Sequence, residues 1–446
     1  MTQATRSQAL PPKDVWSTTT YVVYQVFAHL VAPVMLAAFL LRSRREPLYR
    51  ARFQTRLGLG WTASPRTIWI FAASLGETRA AAPLVEELIH RGYKVALTHS
   101  SAAGLAEGQR LAATMPSGTL QVGYAPLDLF WCVRLFLSRL QPTAGLVLES
   151  EIWPAQLIEA RAKEIPMLQV NGNLHERSLR HLSHRLGRIR LGLYQSFSAI
   201  CTKSKQHLER YHTVGANLER IHLVGELKFD RKPNAQLVQN AQKVRQNWCA
   251  DTPTFLIASS VEDEEHDLCA LVLGLCKALP DLRVVWVPRS PQRFQSVAKM
   301  TTNLGLNTAK RSEVLDAGFT GAVASGITVL IGDSIGEMDA YYALADLVFV
   351  GATLANHGGH NIIEPLSLGK PVVVGPSLYG ITFPAYDALA ENALSSYPDV
   401  RTLTDAVVKA LSDSAALEAL QAGCAGFVER HKGASGRTVD VLEQFL

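Results

Sequence analysis

Apolar and polar positions along the chain fall into two long stretches with the same rhythm, preceded by an almost unbroken apolar run. From Thr67 onward, the short apolar blocks TIWIFAAS, YKVALTHS, LQVGYAPL, GLVLES and PMLQV are separated by stretches of helical spacing, the first being GETRAAAPLVEELIHRG. Short blocks alternating with helices predict strands buried in an open parallel sheet. Pro65, Gly92, Pro126, Pro142 and Pro166 punctuate the units and argue against a continuous helical bundle. The rhythm restarts near Asp251 with TFLIASS, DLRVVWVPRS, ITVLIGDS, LVFVGAT and PVVVGPS. A chain of 446 residues is long for one hydrophobic core. The predicted fold class is therefore α/β with two Rossmann-like domains, RKPNAQL after Phe229 reading as a hinge region. The expected boundaries are an anchor with basic flank over 1–45, a first domain over 46–230, a linker over 231–250, a second domain over 251–420 and a closing helix over 421–446.

The apolar run, Val22 to Leu41, reads VVYQVFAHLVAPVMLAAFLL and is followed by Arg42, Arg44 and Arg45. Twenty residues at helical rise cover roughly 30 Å, enough to cross a hydrocarbon layer even with Gln25, His29 and Pro33 inside the run. Arginines after the run, rather than before it, speak against a cleaved leader and place the remainder of the chain in the cytoplasm. The expectation is a spanning or deeply inserted N-terminal anchor. Behind it, the basic and aromatic stretch from Arg42 to Phe53 suits a membrane surface.

Composition narrows the picture only a little. The formal net charge of +5 comes without a basic arm, zinc-knuckle spacing or dense basic-aromatic interleaving, so nucleic acid is not an expected partner. The six cysteines are dispersed and mostly set among apolar residues, which reads as buried free thiols.

Several polar constellations sit where strands end. Glu77 opens the helix after the first apolar block, and Ser74-Leu75-Gly76-Glu77 also has the spacing of a capping box, so local pattern alone permits a base or a cap. Glu149 and Glu151 in ESEIWP follow GLVL, but their spacing in the chain does not establish the opposed geometry of a glycosidase pair. NGNLHERS offers Arg177 as a contact for an anionic substrate, with Asn171 and Ser178 to position it. In the second half, Arg289 in VPRSPQRF could present a charge-assisted fork to a phosphate or carboxylate, with Arg293 as the neighbouring alternative. Asp333 and Ser334 in DSIGEM precede an expected helix start, a place that favours phosphate, and Glu337 completes a second capping-box spacing. Asn361 and Glu364 in GGHNIIEP offer hydrogen-bonding groups suited to sugar hydroxyls. His357, His360 and Glu364 do not have sufficient spacing for a metal site.

Taken together and in order, FAASLGETRAAAPL, YAPLD, ESEIWP, VGELKFD, VPRSPQRF, DSIGEMDAYYALAD and GGHNIIEP resemble the lipid A 3-deoxy-D-manno-octulosonic acid (Kdo) transferase family over essentially the whole chain. The resemblance implies a GT-B fold and inverting transfer of Kdo from CMP-Kdo to a lipid A precursor, on the cytoplasmic side of a bacterial inner membrane. It further implies Glu77 as general base and donor binding by Arg289, Asp333, Ser334, Glu337, Asn361 and Glu364. Acceptor contacts fall to Ser74, Gly76, Glu149, Glu151 and Arg177, and neither metal nor cofactor is expected. The chain departs from the family pattern at Asn173 and His175 (Arg and Ser in the pattern), at Val261 and Asp263 (His and Gly) and at Ser290 and Gln292 (His and Glu). Those departures favour, as a second reading, a related membrane glycosyltransferase with another donor or acceptor; a noncatalytic sugar-binding membrane protein is a third reading of a different class.

Overall fold

The structure, a computed structural model, describes residues 17–174, 192–214 and 216–446. The chain divides into two compact units, Met1–Arg231 with Lys432–Leu446, and Lys232–His431.

The first unit is built on strands β1 (Thr67–Phe71), β2 (Lys94–His99), β3 (Leu120–Tyr124), β4 (Ala144–Leu148), β5 (Met167–Gly172), β6 (Ala199–Thr202) and β7 (Ile221–Leu223). All pairings are parallel and the order is β3-β2-β1-β4-β5-β6-β7. Every residue of β1 is buried because both faces of the sheet are covered. Ile68 and Ile70 join one core with Leu84, Val85 and Leu88, whereas Trp69 and Phe71 join another with Phe136 and Leu140. Successive side chains of a strand point to opposite faces, so a five-residue apolar block feeds both layers.

The second unit repeats the plan with β8 (Thr254–Ser260), β9 (Arg283–Pro288), β10 (Thr308–Lys310), β11 (Val329–Ile331), β12 (Leu347–Val350), β13 (Val372–Val374) and β14 (Leu394–Ser396). Its order is β10-β11-β9-β8-β12-β13-β14, again parallel throughout. In each sheet the winding reverses beside the first strand, between β1 and β4 and between β8 and β12. Open α/β sheets bind ligands outside the carboxyl ends of the strands at such points.

Three boundaries differ from expectation. Most of the expected linker is the helix Ala235–Cys249 of the second unit, capped by Asn234, whose Oδ1 accepts the Leu237 amide at 3.2 Å. Its buried residues Ala241, Val244 and Trp248 form one apolar face, which is why the segment packs instead of hanging between units. At the other end, the expected closing helix is two helices, Ser414–His431 and Ala434–Glu443, separated around Gly433 with φ +84°. The second returns to the first unit, where Asp230 accepts the Gly433 and Ser435 amides at 2.6 Å each and Arg91 pairs with Asp440 at 2.7 Å. Finally, the N-terminal helix Thr18–Arg42 is docked on the first unit rather than detached from it. All six cysteines are free, and all but Cys276 are buried.

Candidate functional site

In the first unit, β1 runs out at Phe71 and the chain turns through Ala72 and Ala73 into the helix Leu75–His90. Ser74 is the N-cap, its Oγ accepting the Glu77 amide at 3.2 Å, while Glu77 Oε2 accepts the Ala73 amide at 2.6 Å. The reciprocal cap allowed by the sequence is thus present, reaching one residue before the N-cap, and it fixes where the carboxylate sits. Capping does not consume the group chemically. Burial raises the Glu77 carboxyl to about 7, the charges of Glu149 and Glu151 push in the same direction, and the Ala73 amide and Ser74 hydroxyl oppose them. A carboxylate poised near neutrality at a sheet switch point has the properties of a general base.

Glu149 follows β4 on the other side of the switch point, with φ +52°. Its carbonyl accepts Gln169 Nε2 at 2.6 Å, and its carboxylate lies 4.0 Å from Lys228 Nζ. Glu151 accepts the Trp153 indole N–H at 2.7 Å. Both acids are therefore oriented by neighbours while contributing negative potential at Glu77. Gly76 and Ser74 are exposed in the first turn, so the helix start is open beside the carboxylate. Arg177, the remaining acceptor candidate, lies outside the described residues, as do His175 and Ser178.

A buried polar group on the same edge has no signature in the chain pattern. Glu226 accepts the Lys228 amide at 3.4 Å and lies 3.6 Å from Lys203 Nζ. Burial opposes its ionisation, yet Lys203, Lys228 and Asn171 together hold it below its ordinary value. Asn171, at φ +53°, accepts the Leu227 amide at 3.2 Å. The VGELKFD motif contained Glu226 and Lys228, but nothing in the chain pattern indicated Lys203 as their partner. Asn173, one of the departures, accepts at its Oδ1 from His207 Nε2 at 3.0 Å, and His207 Nδ1 also meets the Ser204 hydroxyl at 2.7 Å.

In the second unit Arg289 follows β9, its amide donating to Ser260 O at 2.9 Å while the side chain is exposed. Its guanidinium has no hydrogen-bond or ion-pair partner among the described residues. Arg293, the alternative, is instead committed to Glu262 at 2.7 Å and to Glu265. Glu364 stands in the first turn of Ile363–Ser367, partly buried, also without a side-chain hydrogen bond among the described residues. Asn361 Oδ1 accepts the Ile363 amide at 3.0 Å and leaves its NH2 group to other partners. Gly358 and Gly359, at φ +84° and +86°, let this loop approach residues 379–381 closely: a β-carbon at Gly358 would lie 2.7 Å from the Gly380 nitrogen.

The DSIGEM segment departs from expectation. The helix begins at Met338, not beside Asp333 and Ser334, because Gly336 is left-handed at φ +87° and interrupts helical backbone there. Asp333 accepts the Ser312 amide at 2.9 Å as well as its hydroxyl. Glu337 is ion-paired with Arg311 and accepts the Ser334 hydroxyl, and Ser334 also meets the Tyr341 hydroxyl at 2.6 Å. These groups knit one element to another.

Glu264, missed in the sequence reading, is buried at the β8/β12 switch point and its Oε1 accepts the Val261 and Ala352 amides at 3.0 and 2.7 Å. A β-carbon at Gly351 would lie 2.5 Å from that oxygen, so the glycine makes room for the tie. Asp263 replaces a pattern glycine and pairs with His357 at 2.7 Å. His360 is partly buried with Nε2 unpartnered; burial, then Arg289 and His357, lower its pKa. Among the described residues, no three His, Cys, Asp or Glu side chains are grouped to hold a metal ion.

Comparison with known proteins gives the relatives of the chain and of its fold. A model of the family described as 3-deoxy-D-manno-octulosonic-acid transferase (kdotransferase) matches residues 51–231. The 3-deoxy-D-manno-octulosonic acid transferase of Bordetella pertussis is 37% identical over 386 residues, covering 85% of this chain and 87% of that protein. The enzyme of the same name from Haemophilus influenzae is 31% identical, with 93% and 96% covered. Among solved structures, UDP-GlcNAc 2-epimerase from Neisseria meningitidis aligns at TM-score 0.58 over 85% of this chain and 99% of that one, with 13% identity, a likeness of fold.

Proposed function

Because the chain belongs to the Kdo transferase family, it transfers Kdo from CMP-Kdo to lipid A in lipopolysaccharide synthesis, and we propose that Glu77 is the general base of that transfer. The observation that carries the assignment is a partly buried carboxylate raised to about 7 beside a sheet switch point. The acceptor O–H bond breaks, its proton passing to Glu77. The acceptor oxygen bonds to the anomeric carbon as the bond from that carbon to the CMP phosphate oxygen breaks, and CMP leaves with the electron pair. Attack opposite the leaving group inverts the anomeric centre. The test is a pH profile: kcat is expected to rise as pH passes through about 7, because the base works only when deprotonated. A flat profile from pH 5.5 to 8.5 with chemistry rate-limiting would sink the assignment.

The donor belongs with Arg289, Asn361 and Glu364. Arg289 supplies an exposed guanidinium for the phosphate or the Kdo carboxylate, and Glu364 supplies acceptors for hydroxyls. Asp333, Ser334 and Glu337 contribute to the donor unit by tying its elements together through Ser312, Tyr341 and Arg311. Charged hydrogen bonds contribute about 1.5–3 kcal/mol, so Arg289→Ala is expected to raise the KM for CMP-Kdo by on the order of 10- to 100-fold. Its melting temperature should stay near the parent's, since the side chain holds nothing in the unit. An unchanged KM would remove Arg289 from the donor site.

Ser74, Gly76, Glu149, Glu151 and Arg177 form the acceptor side of the proposal, the acceptor being a lipid A precursor. The chain is membrane-associated, and we place its catalytic units on the cytoplasmic face of the inner membrane, where the nucleotide-activated donor is available. The arginines after Leu41 support that side.

A further inference from the structure

The N-terminal helix turns its polar side inward and its aliphatic side outward. Toward the first unit, Tyr21 donates to Glu159 at 2.9 Å and Tyr24 to Asp128 at 2.6 Å. Gln25 is buried, its Nε2 donating to Asp128 O at 3.2 Å and its Oε1 accepting the Phe130 amide at 2.9 Å. One turn on, His29 packs its ring on Phe130 at 5.5 Å. Ala32 is buried with Leu127, Leu129 and Cys132, and Phe39 lies under the Arg56 guanidinium at 4.1 Å. Contacts therefore run from Tyr21 to Phe39, roughly 27 Å of helix at 1.5 Å per residue.

The opposite face carries Val23, Phe27, Leu30, Val34 and Leu41, exposed by 64, 64, 72, 70 and 60%. Their spacing keeps them on one stripe. A helix facing water on that side would carry polar residues there. Just past it, Leu48 is exposed, and Arg42, Arg44, Arg45 and Arg50 are exposed around it. An aliphatic stripe ending in a cluster of arginines matches a bilayer with anionic headgroups.

We propose that the helix Thr18–Arg42 lies along one leaflet of the membrane, held there by its outer stripe, and does not cross to the other side. The inference rests on the membrane placement proposed above and decides against the spanning form of the spanning or deeply inserted anchor expected from hydrophobic length. A crossing helix that kept its contacts would carry Asp128, Glu159 and the adjoining protein surface into hydrocarbon. One that gave them up would expose Gln25, His29 and two tyrosine hydroxyls to lipid and leave Asp128 without its Tyr24 partner. Either route desolvates polar groups that the docked helix satisfies. Lying flat lets the same side chains stay paired while the stripe enters the lipid.

Single cysteines at Thr18 (T18C) and Ala63 (A63C), both exposed, report the two sides in the full chain. A membrane-impermeant maleimide is expected to label both in everted inner-membrane vesicles and neither in sealed right-side-out vesicles, with the unsubstituted chain as blank. Labelling of T18C only from the right-side-out face, with A63C only from the everted face, would overturn the proposal and leave the membrane-bound enzyme reading intact. A chain absent from the membrane fraction would overturn both. The double variant F27E/L30E alters side chains facing away from the unit. Its membrane-bound fraction is expected to fall tenfold or more, with transfer to detergent-dispersed acceptor retained, since each lost apolar contact is worth about tenfold in partition. An undiminished membrane fraction would remove the stripe as the contact.

Discussion

Replacement of Glu77 by Gln is expected to lower kcat by about 10²- to 10⁴-fold, the range for losing a positioned general base, with the KM for CMP-Kdo unchanged. Gln preserves an oxygen for the Ala73 amide, so the cap that Glu77 Oε2 provides at 2.6 Å survives the substitution. The variant therefore separates the two roles that local sequence left open. If the side chain only capped the helix, kcat would stay within a few-fold of the parent. Stability gives an independent reading through linkage. The carboxyl stands at about 7 in the folded chain against 4.5 ordinarily, so the folded state binds the extra proton between those values. The cost of ionising it is absent below pH 4.5, grows as pH rises, and is fully present above pH 7. Glu77→Gln should accordingly melt higher than the parent at pH 8, with the difference shrinking toward pH 4.5. A lower melting temperature at pH 8 together with normal kcat would establish a structural carboxylate and remove the base.

Much of this arrangement was legible along the chain because parallel strands covered on both faces read as short apolar blocks. The ten blocks picked out by hydrophobic pattern all became strands, whereas β6, β7, β10 and β14 went unmarked. These are three or four residues long, and β7, β10 and β14 lie at sheet edges. So short a run carries no period of its own. Glu77 was visible because its helix start has a local signature, Ser-x-x-Glu, and its pKa was not, because burial and the charges of Glu149 and Glu151 arise only when β1 and β4 become neighbours. Glu264 was invisible for the same reason: its acceptor role depends on the Ala352 amide, 88 residues away. The N-terminal helix satisfies a span by length and composition, and the proposal of a helix along one leaflet draws on what the pattern does not give, the inward direction of Tyr21, Tyr24 and Gln25.

Four of the departures from the family pattern have local partners in the structure. Asn173, in place of arginine, is buried against His207, so the position holds the β5 edge to the helix Lys205–Thr213 without adding charge. Asp263 and His357 form a pair bridging the loops after β8 and β12. Ser290 donates its hydroxyl to Gln292 within one turn. Asn173, Asp263, Ser290 and Gln292 thus each have a local partner, and Arg289, Asn361 and Glu364 keep the residues that the donor proposal needs.

Removal of the Glu337 carboxylate is expected to have the largest effect on stability. Its partner Arg311 is only 6% exposed, lies beneath the Phe319 ring at 5.7 Å from its centroid, and Glu337 is itself 8% exposed. Breaking one side of a buried ion pair typically costs 3–5 kcal/mol, because the remaining charge stays out of water without compensation. Glu337→Ala also frees the Ser334 hydroxyl, which otherwise bonds Glu337 and the Tyr341 hydroxyl. The expected result is a fall of about 3–5 kcal/mol in the stability of the second unit, read as a lower denaturant midpoint with little change in slope. Glu337→Gln retains an acceptor for Arg311 and should lose less, and Glu337→Ala combined with Arg311→Met should recover part of the loss by removing the stranded cation. Donor affinity distinguishes a framework role from a contact. In the fraction that stays folded, CMP-Kdo should bind Glu337→Gln nearly as well as the parent, because the carboxylate is turned toward Arg311. A Gln variant with normal stability and strongly weakened donor binding would instead return Glu337 to the donor-contacting residues inferred from the family resemblance.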